Sequence, residues 1–161
     1  MSDTVSKTTE PPVQQYNGPQ NLVAVMSMLC IFQVVFFAIT ALVKKFNQMY
    51  WAIFIPADIL YHALVTYFLF TLRTEFRYSD TNKPLEKINL ANLFTLFRIS
   101  AMPSLLTLII ASKDYQIKLI LLIYVFFVFI SDFFDGFISR KLKEITHIGK
   151  ILDSTSDYLI L

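Results

Sequence analysis

Four aspartates near the C-terminal end of the sequence are the residues best suited to chemistry. Asp132 and Asp135 are three positions apart, and Asp153 and Asp157 are four positions apart. Side chains at these spacings share one face of a helix. If two consecutive helices carry the two pairs and lie side by side across a short loop, all four carboxylates converge on one point.

Such a cluster needs a cation, because like charges repel strongly where the dielectric constant is low. Carboxylate oxygens are hard ligands that suit Mg²⁺, Mn²⁺ or Ca²⁺ better than zinc. A divalent cation held in this way can neutralise phosphoryl oxygens and align an attacking and a leaving oxygen. The aspartates therefore predict a metal site that acts on a phosphate ester, and the alternative interpretation is a solvated acidic helix end.

The neighbouring residues also fit a phosphate ligand. Gly136 and Gly149 remove side-chain bulk beside the carboxylates, which lets a ligand approach the backbone. Basic side chains in the same region are candidates to hold further phosphate oxygens, or to anchor the chain on the cytoplasmic side of a membrane. These side chains are Arg140, Lys141, Lys143 and Lys150.

A longer pattern runs through these residues. Residues 132–157 read D-F-F-D-G-F-I-S-R, then eight residues, then G-K-I-L-D-S-T-S-D. This resembles the CDP-alcohol phosphatidyltransferase signature, D-x2-D-G-x2-A-R-x8-G-x3-D-x3-D, and departs from it only at Ser139, where the family has Ala. Residues 89–103, N-L-A-N-L-F-T-L-F-R-I-S-A-M-P, resemble the family's first helix. Both stretches are most similar to the phosphatidylglycerophosphate synthase branch.

The resemblance implies an enzyme of phospholipid synthesis that depends on Mg²⁺ or Mn²⁺. Such enzymes displace CMP from CDP-diacylglycerol with the hydroxyl of a polar acceptor alcohol. The similarity to the phosphatidylglycerophosphate synthase branch implies glycerol 3-phosphate as that acceptor. The implied metal ligands are Asp132, Asp135, Asp153 and Asp157. Asp157 is also the implied general base, and the residues that would frame the CDP moiety are Gly136, Ser139, Arg140 and Gly149. A homodimer is implied as well.

The resemblance covers residues 87–161, which is under half of the chain. The family typically has six membrane helices, with the signature across the second and third. We therefore expect a chain truncated after the signature, without most of the residues that would select the acceptor. The alternative function is a non-catalytic membrane protein that retains the metal and CDP site.

Apolar runs predict the elements that position the site. Residues 22–43 and 51–72 are each long enough to cross a bilayer of roughly 30 Å as a helix. A third helix is expected to start at the interface over residues 88–98 and to continue to residue 111, and a fourth to cover residues 117–134. A polar connection over residues 135–150 and a fifth run too short to span would follow.

The composition places the chain in the same class. Hydrophobic residues make up 55% and charged residues 16%, against roughly 45–50% and about 25% in soluble domains. We predict an all-α integral membrane protein, a polytopic transmembrane helix bundle embedded in the lipid bilayer. The net charge of +2 is too small to indicate a nucleic-acid partner. The predicted regions are a disordered tail (1–20), two N-terminal transmembrane helices (21–72), a cytoplasmic connection (73–86) and a partial enzyme core (87–161).

The positive charges predict the orientation of the bundle. Four spans place the tail, the segment after residue 72 and the segment after residue 134 on one side of the membrane. Of the 14 Lys and Arg residues, nine lie on that side and four on the other, Arg98 being set aside as interfacial. The nine are Lys7, Arg73, Arg77, Lys83, Lys87, Arg140, Lys141, Lys143 and Lys150. The positive-inside rule therefore places the aspartate site on the cytoplasmic side.

Three further polar features lie in apolar surroundings. Arg98 is interpreted as a residue whose side chain reaches the membrane interface. Asp58 and His62 are four positions apart inside the second span, and we expect them to pair with each other or with a neighbouring helix. A small transporter that uses this pair is a weaker alternative, because it leaves the aspartates unexplained. Cys30 has no cysteine or histidine at metal-ligand spacing and is interpreted as a small buried apolar residue.

Overall fold

Six α-helices account for most of the residues that the structure describes. The computed structural model describes residues 17–142 and 144–160, with the side chains of residues 156–160 left out. The helices are α1 (Leu22–Lys44), α2 (Gln48–Thr71), α3 (Leu90–Ser100), α4 (Met102–Ala111), α5 (Lys118–Leu142) and α6 (His147–Ile160). A short 3₁₀ turn, Arg73–Glu75, follows α2. Residues 1–16 of the predicted disordered tail lie outside the described residues.

Among the described residues, α1, α2, α5 and the combined segment of α3 and α4 are long and apolar enough to cross a membrane. They are Leu22–Lys44, Gln48–Thr71, Leu90–Ala111 and Lys118–Leu142. Helix α6 has 14 residues, which at about 1.5 Å per residue is shorter than the roughly 30 Å of hydrocarbon. The all-α membrane bundle predicted from composition and run length is confirmed.

Helix α1 shows how the bundle separates its interior from lipid. Its buried residues recur every three or four positions along one face, from Leu22 through Met26 and Leu29. The opposite face is also apolar: Ile31 is 62% exposed and Leu42 is 70% exposed. Apolar residues on both faces are what a helix needs when its outer surface meets lipid.

A proline divides the third span into α3 and α4. Pro103 lies in the first turn of α4, and its nitrogen has no hydrogen to donate to the carbonyl of Ile99, four residues back. The hydroxyl of Tyr61 in α2 donates to that carbonyl at 2.9 Å. A backbone carbonyl without a hydrogen-bond donor is energetically costly inside a membrane. The contact from Tyr61 therefore helps α2 to stabilise the junction between α3 and α4.

Helix α3 lies at the centre of the helices that carry the predicted aspartate site. It packs against α1, α5 and α6, whereas α2 packs against α1 and α4. One apolar cluster near the start of α2 includes Phe37, Phe54 and Tyr124. A second cluster, near the C-terminal end of α2 and the start of α6, includes Leu69, Leu96 and Leu152. The two N-terminal spans thus belong to the same packed bundle as the C-terminal helices.

Contacts between connections define the two ends of the bundle. At one end the backbone N–H of Ser79 donates to Ile145 O at 2.8 Å, and that of His147 donates to Arg77 O at 2.9 Å. At the other end the backbone N–H of Asn47 donates to the Tyr115 hydroxyl at 2.8 Å. The segments after α2 and after α5 therefore lie at the same end, as the four-span topology requires.

Candidate active site

Helix α5 positions Asp132 and Asp135, and it is longer than predicted. The expected polar connection over residues 135–150 is wrong for residues 135–142, which continue the helix to Leu142, and for residues 147–150, which already belong to α6. Apolar residues such as Phe137 and Ile138 continue the helical spacing of apolar positions beyond Asp135. The Arg and Lys residues that follow have high helix propensity in water. The two aspartates therefore lie inside a helix rather than at its end, where the backbone holds them rigidly.

Helix α3 supplies a polar face that the sequence interpretation did not identify as part of the site. Asn89 caps the helix, with its side-chain oxygen accepting from the backbone N–H of Asn92 at 3.0 Å. Asn92, Thr95 and Arg98 then follow at three-residue intervals, and all three are buried. Residues at this spacing lie close together on one face, so α3 turns a polar strip toward α5 and α6.

Arg98 lies at the centre of the site, and its prediction as an interfacial residue is wrong. The residue is 1% exposed, and its guanidinium contacts carboxylates from two helices. Nη1 pairs with Asp132, while Nη2 lies 2.8 Å from Asp153 and 3.9 Å from Asp135. Burying a guanidinium is costly unless it is paired, and these carboxylates provide the pairing that draws Arg98 inward.

The structure brings three of the four predicted aspartates together. Carboxylate oxygens of Asp132, Asp135 and Asp153 lie within 4.8 Å of one another. The side chains of Asp132 and Asp153 are about half exposed, whereas that of Asp135 is 10% exposed. Asp157 lies in α6, but its side chain is outside the described residues.

The charges of this cluster fit a divalent cation. Three carboxylates and the Arg98 guanidinium leave a formal charge of −2 among these four groups. All the carboxylate donors are hard oxygens, the type that Mg²⁺ and Mn²⁺ prefer. Two of the carboxylates are open to solvent, which gives an ion access to the cluster. The residues present therefore suit the type of ion that the sequence predicted.

A narrow groove of about 110 Å³ runs beside the aspartates. The described residues that line it include five of the predicted site residues: Asp135, Gly136, Ser139, Gly149 and Asp153. Lys150, a predicted phosphate ligand, also lines the groove. Arg140 is exposed, and its guanidinium lies within 4 Å of the position that a Cβ on Gly136 would take.

Gly149 has a packing role that the sequence did not reveal. A Cβ at this position would lie 2.8 Å from Thr146 Oγ1 and 2.9 Å from Asn92 Oδ1. Thr146 caps α6 by accepting from the backbone N–H of Gly149 at 3.0 Å, and its hydroxyl donates to Asn92 at 3.0 Å. The missing side chain thus lets the start of α6 pack closely against α3, which places Asp153 beside Arg98.

Sequence reasoning missed Asn92, Thr95, Arg98 and Thr146 as residues of the site. Thr95 donates a hydrogen bond to Asp135 Oδ2 at 2.9 Å. Three polar residues at three-residue intervals in an otherwise apolar helix were a visible indication of a buried polar face. The sequence instead led us to expect an interfacial start of the helix over residues 88–98.

The other intramembrane polar residues behave partly as predicted. His62 Nδ1 lies 3.4 Å from Asp58 Oδ1, so the expected pairing of these two residues is confirmed. Cys30 is not the small buried apolar residue that was expected: it is only partly buried, and its thiol donates to Asp58 Oδ2 at 3.5 Å.

Comparisons with known proteins point to the same region of the chain. Residues 88–161 match the sequence profile of CDP-alcohol phosphatidyltransferases. A CDP-diacylglycerol–glycerol-3-phosphate 3-phosphatidyltransferase of Rickettsia typhi is 37% identical over 73 residues, 45% of this chain and 40% of that protein. A protein of the same name from Aquifex aeolicus is 39% identical over 70 residues, 44% of this chain and 37% of that protein. The comparison with solved structures gave no match.

A third relative of that name, from Pectobacterium atrosepticum, is 32% identical over 75 residues, 47% of this chain and 41% of that protein. The chain therefore spans about 40% of the length of the curated relatives that it matches. The matched region contains α3 to α6 and every predicted site residue. These findings confirm the resemblance seen in the sequence: residues 88–161 are similar to the CDP-alcohol phosphatidyltransferase family.

Proposed function

We propose that this protein transfers a phosphatidyl group from CDP-diacylglycerol to an acceptor alcohol and releases CMP. The observation that carries the proposal is the convergence of Asp132, Asp135 and Asp153 around Arg98 within the family-matched region. The names of the relatives support glycerol 3-phosphate as the acceptor. The reaction is a step of phospholipid biosynthesis.

Asp132, Asp135 and Asp153 are proposed to hold one divalent cation, Mg²⁺ or Mn²⁺. When bound, such an ion neutralises phosphoryl oxygens and aligns the attacking and leaving oxygens. Thr95 orients Asp135 through its hydrogen bond. Arg98 fixes the carboxylates of α5 and α6 relative to each other, so that the site is assembled before substrate arrives.

Asp157 is proposed as the general base, and it is four positions after Asp153 on α6. A base at this position would accept the proton of the acceptor hydroxyl. The hydroxyl oxygen then forms a bond to the phosphorus that carries diacylglycerol. The bond from that phosphorus to the bridging oxygen breaks, and CMP leaves with the bridging oxygen and its electron pair.

Gly136, Ser139, Arg140 and Gly149 are proposed to border the CDP moiety. The groove of about 110 Å³ beside them is smaller than the roughly 300–1,000 Å³ of most ligand sites. It therefore accounts for a part of the nucleotide such as a phosphate group. Lys150 lines this groove and supplies a positive charge for phosphate oxygens.

The site is proposed to face the cytoplasm. The segments after α2 and after α5 contact each other at the same end of the bundle as the groove. Eight of the 14 Lys and Arg residues lie within residues 73–87 and 140–150, and the positive-inside rule places such residues on the cytoplasmic side. CDP-diacylglycerol would approach within the membrane, and the polar acceptor would arrive from the cytoplasm. A homodimer, as in the resemblance, is part of the proposal.

The test is CMP release from CDP-diacylglycerol and glycerol 3-phosphate by membranes that contain the protein. We expect release with Mg²⁺ or Mn²⁺, none with EDTA, and none from the Asp157→Ala variant. Asp80→Asn removes an exposed carboxylate from the loop after α2 and serves as the control, which should retain activity. Release that persists in EDTA or in Asp157→Ala would overturn the mechanism.

A second function remains from the sequence, a membrane protein that keeps the metal and CDP site without turnover. It would use the same three aspartates and the same groove as the enzyme. Equilibrium binding of CDP in the presence of Mg²⁺ separates the two functions. Binding without CMP release supports the non-catalytic function, whereas binding with release supports the enzyme.

A further inference from the structure

A second group of metal-ligand side chains lies inside the membrane bundle, apart from the aspartate site. Ligand atoms of Cys30 in α1 and of Asp58 and His62 in α2 lie within 4.8 Å of one another. These residues precede the family-matched region. We propose that they form a site for a transition-metal ion of the zinc class.

The distances within this group suit such an ion. His62 Nδ1 lies 3.4 Å from Asp58 Oδ1, and Cys30 Sγ lies 3.5 Å from Asp58 Oδ2. Tetrahedral zinc with ordinary bond lengths places nitrogen and oxygen ligands about 3.4 Å apart, and sulfur and oxygen ligands about 3.6 Å apart. Because each neighbour faces a different oxygen of Asp58, an ion between them would contact both sides of the carboxylate.

The burial of Asp58 supports a cation as its partner. Asp58 is fully buried within a membrane-spanning helix, and among the described residues its Oδ1 atom accepts no hydrogen bond. A buried polar atom of this kind calls for an explanation such as an ion. A thiolate from Cys30 and the carboxylate of Asp58 would balance a doubly charged ion, so that the occupied site is neutral in its low-dielectric surroundings.

The surroundings hold the histidine in position. His62 Nε2 lies 2.6 Å from the hydroxyl of Ser100, at the end of α3, and both residues are buried. Metal-bound histidines usually use their second ring nitrogen for a hydrogen bond of this kind. Nδ1 then faces Asp58, and its present contact with the Asp58 backbone carbonyl at 2.9 Å would be exchanged for the ion.

A groove of about 540 Å³ between α1 and α2 borders Cys30 and His62. Ser27, Cys30, His62 and Thr66 give the groove polar positions along its otherwise apolar wall. The sulfur of Cys30 and the nitrogen of His62 favour zinc-class ions. Among the described residues, the ligands of the aspartate site are all oxygen atoms, which favour Mg²⁺ or Mn²⁺. The two sites would therefore take different ions.

The experiment uses the full chain, purified in detergent and treated with a chelator, and titrates it with Co²⁺ as a spectroscopic substitute for zinc. Cys30 is the only cysteine in the sequence, so a thiolate-to-cobalt charge-transfer band reports on this site alone. We expect the band to saturate at one Co²⁺ per chain and to disappear when Zn²⁺ is added. Folded wild-type protein that shows no such band would overturn the proposal, whatever the variants do.

Variants then identify the ligands. Cys30→Ser should abolish the band, and His62→Gln should weaken Co²⁺ binding by at least about tenfold. His147→Gln, which replaces the other histidine of the sequence, is the matched control and should bind Co²⁺ as wild type does. Equal Co²⁺ affinity in His62→Gln and His147→Gln would exclude His62 as a ligand and contradict the proposed site.

Discussion

Replacement of Arg98 by Ala tests how the aspartate site is held together. The guanidinium is 1% exposed and contacts Asp132, Asp135 and Asp153. Loss of one partner from a fully buried ion pair costs about 3–5 kcal/mol. Asp132 and Asp153 are half exposed, and water compensates them in part. We therefore expect Arg98→Ala to lower the free energy of unfolding by about 2–4 kcal/mol when divalent cations are removed.

The same change should make stability more dependent on a divalent cation. Without Arg98 the formal charge of the cluster changes from −2 to −3, so Mg²⁺ gains a stronger site and stabilises the folded state by mass action. The assay is thermal unfolding of purified protein in detergent, with EDTA or with millimolar Mg²⁺. Added Mg²⁺ should raise the Tm of Arg98→Ala more than that of wild type.

Lys87→Ala removes an exposed positive charge outside the helices and serves as the matched control. Its Tm should stay close to that of wild type under both conditions. The reasoning is refuted if Arg98→Ala is as stable as Lys87→Ala in EDTA, or if Mg²⁺ shifts the two variants equally.

Two further variants test the supports of the site. Gly149→Ala would place a methyl group 2.8 Å from Thr146 Oγ1 and 2.9 Å from Asn92 Oδ1, so we expect a loss of about 1–3 kcal/mol in thermal unfolding; an unchanged Tm would show that α3 and α6 are less tightly packed. Thr95→Val removes the hydrogen bond to buried Asp135 and should cost about 1–3 kcal/mol while raising the Mg²⁺ concentration needed for activity; an unchanged Mg²⁺ requirement would exclude an orienting role for Thr95.

The membrane-spanning helices were predictable because bilayer thickness fixes their length. The predicted spans 22–43 and 51–72 correspond closely to α1, Leu22–Lys44, and α2, Gln48–Thr71. The end of α5 was not predictable in the same way. Polar residues after Phe134 indicate departure from the hydrocarbon, but a helix can continue beyond the membrane, and α5 does so as far as Leu142.

The aspartates were predictable from helical spacing, and their central partner was not. Spacing placed Asp132 and Asp135 on one face, which the structure confirms by bringing both to Asp153. The direction in which Arg98 points depends on which helices pack beside α3, and local sequence does not specify that. Its basic side chain in an apolar run fitted the membrane interface equally well.

Contacts distant in sequence were also beyond local patterns. The segment after α2 pairs with residues before α6, as in the bridge between Tyr78 and Thr146. The N-terminal spans contribute a buried hydrogen-bond group in which Gln33 Oε1 accepts from Ser104 and Tyr124. Such a group explains why α1 packs specifically within the bundle, yet each residue alone reads as an isolated polar position in an apolar run.

The most direct measurement of the central claim is Mn²⁺ binding to the purified chain, followed by electron paramagnetic resonance. The account predicts saturable binding that Asp135→Asn weakens by at least about tenfold, whereas Asp58→Asn leaves it unchanged. The asparagine keeps an acceptor for Thr95, so the comparison isolates the charge of Asp135. Wild-type protein that binds no Mn²⁺, or Asp135→Asn protein that binds it with wild-type affinity, would contradict the account.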